Sequence, residues 1–166
     1  MKKTAERKSA LTVSELLLAA MGSEILAREF YSSAADKAQS NAGKKLFHEL
    51  AEMEQRHYEN VKKIIGTLDH GRKIEKQEPS RPVPKIKPEV SGEFEPNKDE
   101  LVDILIRGID AEKAAHERYK KIAAGLTDET GKNIFEGLAE DERRHQALLE
   151  AEYYQISNKG TMIWGD

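Results

Sequence analysis

Two short stretches of the chain repeat a glutamate and a histidine three residues apart. The first, LAEMEQRH, contains Glu54 and His57, and the second, LAEDERRH, contains Glu142 and His145. Residues at positions i and i+3 lie on one face of a helix, so each pair can present a carboxylate and an imidazole together. One pair is a weak signal in a chain this rich in acidic residues. Two pairs at equivalent positions predict metal ligation.

The two stretches belong to a longer internal repeat. Shifting the first half by 88 positions aligns it with the second half without a gap. The matched positions include Glu24 with Glu112, Tyr31 with Tyr119, Gly43 with Gly131 and Phe47 with Phe135. The repeated unit is therefore longer than one motif, and its length predicts a helical hairpin.

Apolar residues recur with helical periodicity over four segments of the chain. The predicted helices cover residues 14–40, 44–65, 101–124 and 128–156. Ser14 and either Thr127 or Asp128 are predicted N-caps, and Asn97 with Glu100 predicts a capping box. Gly66 is predicted to end the second helix.

All five prolines of the chain lie between residues 69 and 96, which excludes a continuous helix there. We call this stretch the crossover segment. It is long enough to run from one end of a bundle to the other, so the second and third helices are predicted to be parallel. The resulting class is all-α, a four-helix bundle over residues 13–157, with an N-terminal segment (1–12) and a C-terminal tail (158–166) in which Trp164 packs onto the body or a neighbouring subunit.

The positions of the acidic residues along the predicted hairpins provide a second, geometric argument for a metal site. Glu24 lies about as far before the first predicted turn as Glu54 and His57 lie after it, so an antiparallel hairpin brings all three to about the same level along the bundle axis. The second half repeats the pattern with Glu112, Glu142 and His145. Four carboxylates in a dry interior repel one another unless cations balance them. Two divalent metals would do so, and this ligand set suits iron or manganese and tolerates zinc.

Less specific interpretations remain open for several residues. Glu-rich helices usually present solvated faces, on which Glu54 would pair with a nearby Lys or Arg. Tyr31 and Tyr119 are tentative catalytic residues that hydrogen-bond the ligands or act as redox-active phenols, or else they are core residues. His116 is predicted to flank the site, and salt bridges are predicted for Glu52, Glu140, Arg56 and Arg144.

Composition excludes several classes of function. The chain has no cysteine, which removes disulfides, thiol catalysis and iron–sulfur clusters. Its net charge is −3 and it contains no long basic run, so no nucleic acid and no membrane surface is expected as a partner. The apolar-looking run near the N-terminus is interrupted by Glu15 and Glu24, so we expect a cytoplasmic protein rather than a secreted one.

Over residues 12–156 these motifs resemble the rubrerythrin branch of the ferritin-like di-iron proteins. The resemblance implies two iron ions per chain, bridged by Glu54 and Glu142. It also implies Glu24 and Glu112 as terminal carboxylates, and one iron ligated by each of the two histidines. The implied chemistry is oxidation of ferrous iron by dioxygen or reduction of hydrogen peroxide to water.

Two departures from the family pattern qualify the resemblance. A chain without cysteine cannot hold the rubredoxin-like module of full-length rubrerythrins, so electrons would come from a separate rubredoxin-like donor or from substrate iron. Ala115 stands where efficient peroxidases of the family carry an extra glutamate. Three hypotheses follow: a di-iron peroxidase or oxidase, an iron-handling ferroxidase, and a non-catalytic metal-binding helical protein. A homodimer is expected, and it would count against iron storage, which needs a closed shell of many subunits.

Overall fold

Four long helices make up most of the computed structural model, which describes residues 11–70, 72 and 91–164. They are α1 (Val13–Lys37), α2 (Asn41–Asp69), α3 (Lys98–Gly125) and α4 (Glu129–Lys159). Two short strands, β1 (Glu93–Phe94) and β2 (Thr161–Met162), pair antiparallel. The all-α prediction is confirmed.

The helix ends differ from the prediction by a few residues. Thr12, and not Ser14, is the N-cap of α1, because its hydroxyl accepts from the Glu15 backbone while the Glu15 carboxylate accepts in return. Gly66 does not end α2, since a glycine weakens a helix by only about 1 kcal/mol and α2 continues to Asp69.

The predicted capping box at Asn97 is also wrong. The Asn97 side chain makes no cap hydrogen bond and instead donates to the Lys37 carbonyl at 2.9 Å and to the Glu100 carboxylate. Asp128 does cap α4, accepting from the backbone of Gly131. Gly160 ends that helix at φ 68°, a left-handed conformation that suits glycine.

Helices α1 and α2 form one antiparallel hairpin, and α3 and α4 form the other. The start of α3 lies beside the start of α2, because Glu95 accepts hydrogen bonds from the Gln39 and Ser40 backbone. Helices α2 and α3 are therefore parallel, as predicted. Most of the crossover segment (71 and 73–90) lies outside the described residues, as do residues 1–10 of the predicted N-terminal segment and residues 165–166 of the tail.

The buried apolar side chains form two separate clusters, one toward each end of the bundle. The first contains Tyr31, Phe47, Leu50, Leu105 and Leu149 among others. The second contains Leu17, Val61, Ile64, Tyr119 and Phe135 among others. All the predicted ligands fall between these two clusters along their helices, so the apolar clusters separate the middle of the bundle from water at both ends.

The C-terminal tail packs onto the body of the same chain. Trp164 is buried in the first apolar cluster, and its indole N–H donates to Glu49 on α2 at 2.9 Å. Glu152 on α4 accepts from the backbone of Ile163 at 3.1 Å. Among the described residues, no helix is long and apolar enough to cross a membrane.

Candidate metal centre

Six acidic and histidine side chains from all four helices meet in the middle of the bundle. They are Glu24 from α1, Glu54 and His57 from α2, Glu112 from α3, and Glu142 and His145 from α4, and each is at most 4% exposed. The structure thus brings together every residue that the sequence predicted as a ligand. Burial of four carboxylates in one small volume is costly unless positive charge balances them.

The six side chains form two overlapping groups, each with ligand atoms within 4.8 Å of one another. One group is Glu24, Glu54, His57 and Glu142, and the other is Glu54, Glu112, Glu142 and His145. Glu54 and Glu142 belong to both groups. Their carboxylates therefore lie where they could bridge two ions, while the other four residues each serve one group.

Both imidazoles direct Nδ1 toward the carboxylates. His57 Nδ1 lies 3.3 Å from Glu24 Oε2 and 3.3 Å from Glu54 Oε2. His145 Nδ1 lies 2.9 Å from Glu54 Oε1 and 3.2 Å from Glu142 Oε2. The two rings stack with centroids 5.4 Å apart, so the two nitrogen ligands enter the cluster side by side.

Burial and mutual repulsion alter the acidity of the carboxyl groups. Burial raises the pKa of Glu24 to about 7, with a further contribution from the charge of Glu54. Burial and the neighbouring carboxylates also hold the pKa of Glu112 and of Glu142 well above the usual value. Glu54 is the exception. Burial opposes its ionisation, but the two imidazoles outweigh burial and hold its pKa well below the usual value.

Two tyrosines connect the hairpins at the level of the cluster. The Tyr119 hydroxyl donates to Glu24 Oε1 at 2.5 Å, and the Tyr31 hydroxyl donates to Glu112 Oε1. Burial, together with the adjacent carboxylates, raises the pKa of both phenols. Each tyrosine is therefore a neutral donor that fixes one carboxylate. Of the roles that the sequence left open for the two tyrosines, this is the one of hydrogen-bonding the ligands.

Asp141 is a site residue that sequence reasoning missed. It is 9% exposed, and its Oδ2 lies 3.3 Å from His57 Nε2, on the side of the ring away from the cluster. The repeat shows only that the residue before the motif glutamate is Asp141 in one half and Met53 in the other, which does not indicate a contact with the other hairpin.

The remaining predicted neighbours lie outside the cluster. His116 Nδ1 is 2.6 Å from the Ala139 carbonyl, and the ring is partly exposed, which matches the flanking position predicted for it. Glu140 pairs with Arg143 and Arg144 on the surface. Glu52 lies 4.0 Å from Arg56, so these acidic residues form the expected salt bridges.

Several buried ligand atoms of the cluster are not satisfied by hydrogen bonds. Among the described residues, both carboxylate oxygens of Glu54, Glu142 Oε2 and His145 Nδ1 are buried and, although close to one another, make no well-aligned hydrogen bond. Such atoms in a protein interior normally find a partner. The atoms left over include those shared by the two groups, which is the pattern expected if cations complete their coordination. The donor set of carboxylates and imidazoles without sulfur fits iron or manganese.

Comparison with known proteins agrees with this geometry. The family model described as Rubrerythrin matches residues 15–153. The chain belongs to the rubrerythrin family. Its helices accordingly form a ferritin-like bundle, and the family together with the buried cluster indicates metal binding at this site.

A solved structure of a hypothetical protein from Pyrococcus furiosus is similar to this rubrerythrin-family chain over nearly its whole length. The two are 31% identical, with a TM-score of 0.68, and the match covers 92% of this chain and 95% of the other. No match was found among the curated proteins. The resemblance inferred from the paired motifs is therefore confirmed at the level of family and fold.

Proposed function

We propose that this protein is a di-iron oxidoreductase that reduces hydrogen peroxide or dioxygen and so protects the cell against oxidative stress. The observation that supports the proposal is the buried set of four carboxylates and two imidazoles arranged as two groups with two shared members. Two iron ions per chain are the proposed cofactor, and manganese or zinc could substitute. A pair of ferrous ions supplies two electrons together, which is the number needed to reduce an O–O bond.

The six residues of the cluster have different roles in binding such a pair of iron ions. Glu54 and Glu142 would bridge the two ions, Glu24 and Glu112 would be terminal ligands, and each histidine would ligate one ion. The four carboxylates supply four negative charges against two divalent cations, which leaves the loaded ferrous site neutral in its low-dielectric surroundings. Tyr31 and Tyr119 keep the terminal carboxylates from rotating, and the apolar clusters at both ends limit the access of water.

The electron source must lie outside the chain. No cysteine is present to ligate a further iron. A separate rubredoxin-like protein is therefore the proposed donor, in a cytoplasmic setting. The family's extra glutamate is replaced by Ala115, which is partly buried and packs against the second apolar cluster.

The absence of a ligand at Ala115 favours a second candidate function. Without that carboxylate the site offers six ligands, and substrate iron itself could supply the electrons in a ferroxidase for storage or transfer. A third candidate, a non-catalytic metal-binding protein, has the same ligand set and differs only in having no reaction with oxidants.

A homodimer is proposed from the surface of α1. Leu18 and Leu26 on this helix are 51% and 68% exposed, and Leu11, just before the helix begins, is 59% exposed. Exposed apolar residues along a helix commonly mark contacts between proteins. A second copy of the chain would cover them.

Rapid mixing distinguishes the candidate reactions. Protein loaded anaerobically with ferrous iron is mixed with stoichiometric hydrogen peroxide or with dioxygen, and ferric absorbance is followed over time. Faster oxidation by peroxide supports the peroxidase, and faster oxidation by dioxygen supports the ferroxidase. If neither oxidant accelerates iron oxidation beyond that of free ferrous iron, the catalytic proposal is wrong.

A further inference from the structure

The two histidines of the cluster have different surroundings on the sides of their rings that face away from it. His57 has a carboxylate there, with Asp141 Oδ2 3.3 Å from its Nε2. This contact joins the two hairpins, since His57 is on α2 and Asp141 is on α4. The ring is thus held at both nitrogens, by Asp141 at Nε2 and by the cluster carboxylates at Nδ1.

Asp141 also contacts a positively charged side chain, Arg144, through its other carboxylate oxygen. Its Oδ1 lies 3.4 Å from Nη1 of Arg144, whose side chain is 40% exposed. The guanidinium balances the negative charge of Asp141 at the edge of the bundle. A continuous series of contacts therefore runs from solvent through Arg144 and Asp141 to His57.

The internal repeat places a carboxylate at this position in one half only. The residue equivalent to Asp141 in the first half is Met53, which packs against the first apolar cluster. A thioether is at most a weak hydrogen-bond acceptor. Two positions whose ligands are otherwise matched by the repeat thus differ in the group behind one histidine.

We propose that Asp141 is a positioning residue that makes the two metal positions inequivalent, with the position ligated by His57 the tighter of the two. This inference rests on the metal binding of the proposed function. The inference adds a difference in affinity between the two metal positions, which neither membership of the family nor the six ligands alone would require.

The physical reason is the effect of an acceptor on a metal-bound imidazole. If His57 Nδ1 ligated an ion, its Nε2 would carry the proton and could donate it to Asp141 Oδ2, 3.3 Å away. Such a carboxylate fixes the tautomer and the ring orientation and increases the basicity of the ligating nitrogen. Loss of an outer partner of this kind typically weakens metal affinity by about 10–100-fold.

Stepwise titration of the metal-free protein with Co²⁺ tests the proposal, with visible absorbance reporting occupancy. For the wild type we expect two binding steps of different affinity. Asp141→Asn preserves the shape of the side chain but removes its charge, and should weaken the tighter step by about 10–100-fold while leaving the weaker step unchanged. Glu140→Gln is the matched control, because it removes a neighbouring carboxylate that pairs only with surface arginines among its described contacts.

Each outcome separates the proposal from simpler explanations. Unchanged Co²⁺ binding in Asp141→Asn, with two ions still bound, would overturn the asymmetry and leave the metal centre intact. Equal weakening of both steps, with a lower melting temperature of the metal-free protein, would show a structural role only. A wild type that binds no Co²⁺ would overturn the metal centre and the asymmetry together.

Discussion

Tyr119 on α3 donates its hydroxyl to Glu24 on α1, across the interface between the two hairpins, at 2.5 Å. Tyr31 on α1 donates in the opposite direction to Glu112 on α3. Each tyrosine therefore fixes a carboxylate that belongs to the other half of the repeat. The exchange ties the hairpins together at the level of the metal centre and produces an approximate twofold arrangement of ligands.

Tyr119→Phe should destabilise the metal-free protein because it leaves the buried Glu24 carboxyl without its phenol donor. Loss of a hydrogen bond to a buried group costs about 1–3 kcal/mol, measured as the change in the free energy of unfolding in urea. Tyr154→Phe is the control, since Tyr154 is 66% exposed. Equal stability of the two variants would mean that the Tyr119 contact contributes nothing.

Much of this arrangement was accessible from the sequence. The repeat and the paired motifs predicted which six side chains would meet, because helical periodicity fixes the face and the distance from a turn fixes the height. Helix ends were less accurate. The termini at Thr12 and Asn97 depend on which of several polar side chains reaches a free backbone group, and that choice is made by tertiary contacts such as Asn97 with Lys37.

Partners that come from distant segments were not predictable. The contact of Asp141 with His57 joins residues on different hairpins, and its formation depends on how the hairpins are rotated about their axes. The tail presented the same difficulty. Trp164 was expected to pack somewhere, but its partner Glu49 lies 115 positions away in the chain.

Metal should stabilise the protein more at pH 8 than at pH 6. The raised pKa of Glu24, about 7, means that its contribution to stability is complete below its ordinary value of 4.5 and is lost as the pH rises through 7. The raised pKa values of Glu112 and Glu142 act with the same sign. Bound cations require the deprotonated forms, so they offset this loss where it is largest.

The measurement is the increase in melting temperature on adding Mn²⁺ at each pH. Glu54 has a lowered pKa, so its contribution to stability has the opposite pH dependence. That contribution is lost only as the pH falls below 4.5, outside the range tested. An increase in melting temperature that is the same at both pH values would contradict the expected competition between protons and metal.

The C-terminal tail should loosen as the pH rises through about 7. Burial raises the pKa of Glu152 to about 7, although the backbone N–H groups of Ile163 and Trp164 oppose the shift. The contribution of Glu152 to stability is therefore complete below pH 4.5 and is lost through pH 7. Trp164 is the single tryptophan, so a red shift of its fluorescence reports exposure of the tail.

Zinc-loaded protein is the appropriate sample, because the metal keeps the central carboxylates deprotonated throughout the titration. Glu152→Gln should abolish the transition near pH 7, whereas Glu150→Gln, a change at an exposed neighbour, should leave it in place. A transition that persists in Glu152→Gln would assign the effect to another group.

Replacement of the exposed leucines of α1 should disrupt the proposed homodimer. The double variant Leu18→Ser, Leu26→Ser removes two exposed apolar side chains from α1 and should elute as a monomer, with its molar mass measured by light scattering. Ile106→Ser on α3, at a site 40% exposed, is the control and should remain dimeric. A dimer that survives the double variant would place the interface elsewhere.

The most direct test of the account is the iron content of the protein after anaerobic loading with ferrous iron and removal of excess metal. The wild type should retain about two irons per chain, and Glu54→Gln, Glu142→Gln should lose them while keeping its helical circular dichroism. Glu52→Gln, Glu140→Gln, changed two residues earlier on the same helices, should bind iron like the wild type. Less than about one iron per wild-type chain, or normal binding by Glu54→Gln, Glu142→Gln, would contradict the proposed centre.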